Sequence, residues 1–109
     1  MGAPRGPARH DRPAIDEAAL AAARHMDRLL AAARERGDPR WEAFLAPLPD
    51  RLRDEEVAAL RKTALRARAA YGAKDSIRDV LPADLTEPFL AALDRLIREL
   101  NRLASGAMD

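Results

Sequence analysis

The chain has 109 residues, a formal net charge of +1 and no cysteine, and 48% of its residues are hydrophobic. A chain of this length is expected to form one domain with a modest core, and the lack of cysteine excludes disulfides and thiol chemistry. Charged residues interrupt every apolar stretch, which excludes a transmembrane helix on sequence grounds. We therefore expect a cytoplasmic protein that does not bind membranes.

The amino terminus has a net positive charge, and the rest of the chain does not. Three arginines and one aspartate give residues 1–13 a charge of +2, so residues 14–109 carry −1. Residues 1–13 also combine proline and glycine without hydrophobic periodicity, which predicts a disordered basic tail. The nearly neutral remainder lacks the positive surplus that is typical of dedicated nucleic-acid-binding domains.

A long helix is predicted over residues 14–36. Apolar residues recur there at spacings of three and four, which places them on one face of a helix. Pro13 suits the first helical turn, and Gly37 suits a left-handed carboxyl-terminal cap. We expect this helix to bury its apolar face against the rest of a bundle.

A short helix with large side chains is predicted over residues 39–46. Asp38 followed by Pro39 is typical of a helix N-cap and first turn, and the prolines at the other end are expected to stop the helix. The segment carries three large apolar residues, Trp41, Phe44 and Leu45. Any exposed part of this apolar cluster is predicted to contact a partner.

The third predicted helix, over residues 52–71, has its charges sorted along its length. Acidic residues 54–56 open it, and only basic charges follow up to residue 74. Gly72 is expected to end it as a left-handed cap. The sorting complements the helix dipole, but it also supplies an alternative nucleic-acid-binding surface. The residues of that surface would be Arg61, Lys62, Arg66 and Arg68, together with the basic tail.

Polar residues concentrate in the turn after this helix. Ser76 followed by Asp79 has the form of a capping box, which predicts a short helical piece over residues 76–81. Asp75 and Asp79 would share one face of a helix, but capping and pairing with the flanking basic residues explain them without a metal ion. The predicted partner-binding residues are Tyr71, Lys74, Asp75, Arg78 and Asp79, together with Trp41.

The last predicted helix covers residues 87–104, where leucines recur at helical spacing over a wide apolar face. Thr86 and Pro88 are expected to form its cap and first turn. Residues 106–109 are predicted to be disordered, so the single domain extends over residues 14–105.

Three long amphipathic helices and two short pieces predict a small all-α helical bundle. The sequence contains no nucleophile motif, glycine-rich phosphate loop or metal-ligand spacing, so we expect no enzymatic activity, no metal and no cofactor. The favoured function is that of an accessory or regulatory protein acting through protein–protein contacts, with another protein or as a homodimer. Nucleic-acid binding is the alternative.

Overall fold

The computed structural model describes residues 8–107, with side chains described for residues 8–105. These residues form the helices α1 (Pro13–Arg36), α2 (Pro39–Leu45), α3 (Leu48–Asp54), α4 (Val57–Arg68) and α5 (Ala83–Ala107). Short 3-10 turns occur at Arg9–Asp11, Ala69–Tyr71 and Ile77–Asp79. The described residues contain no strand, and the prediction of a small all-α bundle is confirmed.

Helix α1 is the central element of the bundle, because it contacts α2, α3 and α5, whereas α4 packs on α3 and α5. Small side chains allow helix axes to approach closely, and the leucines of α5 fill the remaining space. The fully buried residues at this centre are Ala18, Ala19, Ala22 and Ala23 of α1 with Leu93 and Leu96 of α5.

The connection between α1 and α2 forms as predicted. Gly37 adopts a left-handed conformation with φ 72°, which glycine accepts without steric cost. The N–H of Gly37 donates to the Arg34 carbonyl at 3.1 Å. The Asp38 carboxylate then accepts the N–H of Trp41 at 3.2 Å and caps α2. Both cap predictions are confirmed.

The prediction of one helix over residues 52–71 is wrong. Helices α3 and α4 are separate, with Glu55 and Glu56 in an extended conformation between them (ψ 141° and 166°). Helix α2 ends before Pro47, as expected from the sequence, and Pro47 and Pro49 also open α3. A proline there breaks no hydrogen bond, since the first N–H groups of a helix have no partner within it.

Hydrogen bonds from the amino-terminal segment explain the break. The Glu56 carboxylate accepts the backbone N–H of Arg9 at 2.9 Å, and the Arg9 guanidinium donates to the Glu55 carbonyl at 3.1 Å. The Thr63 hydroxyl donates to the Glu55 carboxylate. A continuous helix would have used the Glu55 carbonyl internally, so these contacts replace the helical bonding at this point.

Arg9 itself is a core residue and not part of a disordered tail. Its side chain is buried, with the residue 5% exposed, and its Nε donates to Asp16 Oδ1 at 2.6 Å. A buried guanidinium needs such partners because removing it from water unpaired is costly. The disorder predicted for residues 1–13 is therefore wrong for Arg9–Asp11, while residues 1–7 lie outside the described residues.

Helix α4 ends before the predicted residue 71, and Gly72 is not a left-handed cap. The chain passes into the Ala69–Tyr71 turn, and Gly72 has φ −64°. The positive φ of this region occurs at Asp75 instead, with φ 53°. Aspartate is one of the few residue types that tolerates this conformation. The left-handed residue therefore occurs three positions later than expected.

The polar turn before α5 is shorter than predicted. The Ser76 hydroxyl accepts the N–H of Arg78 at 3.2 Å, which confirms Ser76 as a cap. The helical piece predicted over residues 76–81 is limited to the 3-10 turn Ile77–Asp79. Asp79 takes part through its backbone N–H, which donates to the Ser76 carbonyl at 3.0 Å.

Helix α5 begins at Ala83 rather than at residue 87, so Pro88 lies inside it. Proline in that position removes one helical hydrogen bond. Tertiary contacts hold the turn nevertheless, because Thr86 is fully buried and its carbonyl accepts the Tyr71 hydroxyl at 2.5 Å. The helix continues to Ala107, so the disorder predicted from residue 106 is wrong at its start; residues 108–109 lie outside the described residues.

Candidate functional site

Two features that are separate in the sequence meet in one cleft of about 380 Å³. Helix α2 contributes its aromatic residues, and the loop that follows the Ala69–Tyr71 turn contributes two charged side chains. We call this the α2 cleft, and it is lined by Arg40, Trp41, Phe44, Ala69, Ala70, Lys74 and Asp75. It joins Trp41 to two of the partner-binding residues predicted in the polar turn.

The aromatic side chains of the α2 cleft are largely covered. Trp41 is 7% exposed and meets Phe44 edge to face, with ring centroids 5.7 Å apart. The guanidinium of Arg40 lies 5.8 Å from the Trp41 ring centroid, and that of Arg66 lies 5.7 Å from the Phe44 ring centroid. Cations in this position are attracted by the negative faces of the rings. The groups that a ligand could reach in this cleft are therefore mainly cationic side chains, which lie above an apolar floor.

The loop side of the cleft is exposed and charged. Lys74 and Asp75 are both exposed, and an Asp75 carboxylate oxygen lies 3.7 Å from an Arg40 guanidinium nitrogen. An exposed pair at this distance contributes less than about 1 kcal/mol to stability. The contact nevertheless brings the left-handed Asp75 loop against α2 and closes one side of the cleft.

Tyr71 lies in the core and not at a contact surface. It is 8% exposed, its hydroxyl donates to the Thr86 carbonyl, and its ring stacks on Phe89 with centroids 6.4 Å apart. Burial, followed by the nearby Glu87 charge, raises the pKa of the Tyr71 phenol above its ordinary value. Tyr71, although predicted as a partner-binding residue, thus has a role in packing.

Arg78 is held by an ion pair on the far side of the same turn. Its Nε and Nη2 atoms donate to the two carboxylate oxygens of Glu87 at 3.0 and 2.7 Å. This bond holds the pKa of the Glu87 carboxyl below its usual range. Asp79 is exposed beside it. Neither Arg78 nor Asp79 lines the α2 cleft, so the structure divides the predicted contact residues between two places.

The basic residues of α4 do not form one patch. Arg61 donates to the Asn101 side chain at 2.6 Å, and Arg68 donates to the Asp94 carboxylate at 3.1 Å. Both therefore engage α5, whereas Arg66 covers an aromatic ring of α2. Lys62 is exposed on α4. The predicted nucleic-acid surface is thus divided between two sides of the helix.

Helix α4, which carries the Arg66 guanidinium to the Phe44 ring, also has an exposed apolar side chain. Leu65 is 50% exposed and is the one large hydrophobic residue classed as exposed among those whose side chains are described. It precedes Arg66, whose guanidinium reaches Phe44, and it lies three residues after Lys62 on the same face of α4. We define the α2–α4 surface by the residues Arg40, Phe44, Lys62, Leu65, Arg66 and Lys74.

The cations of the α2–α4 surface are largely unneutralised. Within residues 8–105, no carboxylate lies at ion-pair distance from Lys62, Arg66 or Lys74. Arg40 has the distant contact with Asp75. This surface therefore combines an exposed leucine and a half-buried aromatic ring with a positive field, an arrangement that attracts carboxylates.

Arg40 and Leu65 are absent from the residues predicted as sites from the sequence. The sequence does indicate that Leu65 is exposed. It lies beside the apolar seam that runs through Leu60 and Ala64, so a helix that buries only this seam leaves Leu65 in solvent. Arg40 has no such signal, since its place above the Trp41 ring depends on the folded position of α2.

Comparison with protein-family models, with curated proteins and with solved structures gives no match. In the part of the chain that the structure describes, no helix is both long and apolar enough to cross a membrane. No three His, Asp or Glu side chains in that part are grouped so that they could hold a metal ion. The surface chemistry of this chain is therefore the basis for a functional proposal.

Proposed function

We propose that the protein is a small cytoplasmic accessory or regulatory protein that binds another protein through the α2–α4 surface. The observation that carries the proposal is the exposure of Leu65 on α4 between Lys62 and Arg66, for which residues 8–105 supply no carboxylate at ion-pair distance. A single exposed leucine is ordinary on a protein surface. An exposed leucine on a helix whose Arg66 also reaches the Phe44 ring combines the apolar, aromatic and arginine groups of an interface.

The charge of this surface indicates the chemistry of the partner. Four cations face one neighbouring acid, Asp75, so a partner that supplies carboxylates around an apolar side chain would complement it. The apolar group of the partner would cover Leu65 and the accessible part of Phe44. Its carboxylates would pair with Lys62 and Lys74 at the rim, where charge accelerates association and makes it sensitive to salt.

The nucleic-acid alternative has less support. Arg61 and Arg68 are engaged with side chains of α5, and the rings of Trp41 and Phe44 are covered by guanidinium groups. Single-stranded nucleic acids are usually held by bases that stack on accessible aromatic rings. A homodimer remains the other form of protein contact, with a second copy supplying the partner surface.

Affinity capture from native lysate, with and without nuclease, tests the proposal. The full chain would be compared with Leu65→Asp and Arg66→Glu, and with Arg98→Glu as the matched control. Arg98 is an exposed arginine of α5 outside the α2–α4 surface, so both arginine variants change the net charge equally. We expect the full chain to capture a stoichiometric protein partner whether or not nuclease is added. The amount captured should fall at least tenfold with Leu65→Asp and with Arg66→Glu, but not with Arg98→Glu.

Other outcomes would decide between the alternatives. Capture that disappears after nuclease treatment would support nucleic-acid binding. A doubled mass in light scattering of the purified protein, abolished by Leu65→Asp, would identify a homodimer. Equal capture by Arg66→Glu and Arg98→Glu, with circular dichroism showing that both are folded, would contradict the assignment of this surface.

A further inference from the structure

An open groove of about 870 Å³ lies among the start of α1, the start of α4 and the last turns of α5. Ile15, Val57 and Leu103 contribute apolar surface to its walls, one from each helix. We call it the terminal groove. It lies at the opposite end of α4 from the α2 cleft, about 18 Å away along a helix of 12 residues, so the two sites are separate.

Two guanidinium groups at the rim of the terminal groove have no carboxylate partner within residues 8–105. Glu99 is already paired with Arg102 at 3.2 Å, and Arg61 donates to the neutral side-chain amide of Asn101 at 2.6 Å. Among residues 8–105, no carboxylate lies at ion-pair distance from Arg12 or Arg61. The groove thus places apolar walls next to Arg12 and Arg61. The Asn101 amide accepts from one Arg61 nitrogen, and the other N–H groups of that guanidinium remain as donors for an anionic ligand.

We propose that the terminal groove binds a monocarboxylate with an unbranched hydrocarbon chain, which is the chemistry of a free fatty acid. The chain would lie against Ile15, Val57 and Leu103, because each CH₂ group removed from water favours binding. The carboxylate would pair with Arg12 and Arg61, since a guanidinium donates two parallel hydrogen bonds to a carboxylate. The volume of the groove falls within the range of small-molecule sites.

The charges of the rim favour an anionic head group. Glu99 is paired with Arg102, so Arg12 and Arg61 outnumber the remaining acid of the lining, Asp11. A cationic amphiphile, in turn, would meet Arg12 and Arg61. The guanidinium groups of the terminal groove thus select the charge of the ligand's head group, and its apolar walls select a hydrocarbon chain.

Isothermal titration calorimetry of the purified full chain with decanoate tests the proposal. The ligand would be kept below its micelle concentration, and decanol and decyltrimethylammonium would serve as the neutral and cationic amphiphiles of equal chain length. We expect one decanoate per chain, weaker binding of decanol and no binding of the cation.

Two adjacent alanines provide a matched pair of variants. Ala58 and Ala59 are both exposed in the first turn of α4, but only Ala58 lines the terminal groove. Ala58→Glu places a negative charge in the groove and should weaken decanoate binding at least tenfold, whereas Ala59→Glu should leave it unchanged. Arg12→Gln should weaken it about tenfold, which is the typical effect of losing a charged hydrogen bond.

Three results would overturn the proposal. These are the absence of decanoate binding, equal binding of the anionic, neutral and cationic amphiphiles, and equal affinity of the Ala58→Glu and Ala59→Glu variants. Each variant would first be checked for the circular dichroism and melting temperature of the parent chain. The variants of the α2–α4 surface should bind decanoate normally, so this test is independent of the proposed protein contact.

Discussion

At the residue scale, a few buried polar side chains decide the local structure. Arg9 joins three segments, because it pairs with Asp16 of α1 and bonds to Glu55 and Glu56 between α3 and α4. Its Nη2 atom is buried without a hydrogen-bond partner among the described residues. The remaining contacts of Arg9 therefore have to compensate for its removal from water.

Replacing Arg9 with alanine should destabilise the fold by about 1–3 kcal/mol. The substitution removes the guanidinium contacts of Arg9, and the cost stays below that of a fully buried pair because Asp16 is partly exposed. Urea unfolding followed by circular dichroism measures the effect. Arg12→Ala is the control, since Arg12 is exposed, and equal stability of the two variants would contradict the role of Arg9.

The phenol of Tyr71 should ionise at a higher pH in the folded than in the unfolded protein. The chain contains a single tyrosine, so tyrosinate absorbance reports on this side chain alone, and burial raises its pKa. Above a pH of about 10 the unfolded state loses this proton first, so stability should fall as pH rises. A spectrophotometric titration with and without urea would refute this if the two midpoints coincide.

Replacing Tyr71 with phenylalanine separates the hydroxyl from the ring. The ring can keep its stacking on Phe89, but the Thr86 carbonyl loses the hydrogen bond from the hydroxyl. We expect a loss of about 1–2 kcal/mol at neutral pH and a flatter dependence of stability on alkaline pH. Urea unfolding at pH 7 and pH 10.5 provides the measurement.

At the scale of elements, the buried alanines of α1 allow its neighbouring helices to approach closely. Ala18, Ala19, Ala22 and Ala23 have no exposed surface, and packing in protein interiors leaves little free volume. The alanines that made α1 easy to predict as a helix therefore also determine how closely the neighbouring helices pack against it.

Replacing Ala22 with leucine should destabilise the bundle by about 1–3 kcal/mol, because the larger side chain has no free space at a fully buried position of α1. Ala31→Leu is the matched control on the same helix, since Ala31 is exposed and leucine is nearly as good a helix former as alanine. The melting temperatures of both variants measure the difference. Similar melting temperatures would show that the helix interface is loosely packed.

At the scale of the whole molecule, α1 links the other elements into one unit. It contacts the amino-terminal turn, α2, α3 and α5, and α4 is joined to it through α3 and α5. The short helices α2 and α3 have 7 residues each, too few to be stable alone in water. Their formation therefore depends on the tertiary contacts.

Unfolding should accordingly be a single cooperative transition. Fluorescence of Trp41, the one tryptophan of the chain, reports on α2, whereas far-ultraviolet circular dichroism reports on all helices. The two signals should give the same midpoint in urea, as expected for a small two-state domain. A fluorescence transition at lower urea would show that α2 detaches before the rest of the bundle unfolds.

Local patterns predicted those features that depend on neighbouring residues. The extent of α1, its left-handed end at Gly37 and the Asp38 cap of α2 each need only a few consecutive residues. The break between α3 and α4 was missed because Arg9 bonds to Glu56 across 47 positions of sequence. The site was predicted in part for the same reason. Trp41, Lys74 and Asp75 line one cleft, whereas Tyr71 is buried by its contacts with α5.

The sequence by itself determined the helical class of the protein, its apolar faces and the caps that close over short distances, because helix periodicity and capping are local properties. Only the tertiary structure decided where the third predicted helix breaks, which arginines are engaged and which aromatic rings are covered. Those outcomes depend on hydrogen-bond partners and packing surfaces that lie far apart in the chain and meet only when α1, α4 and α5 are assembled.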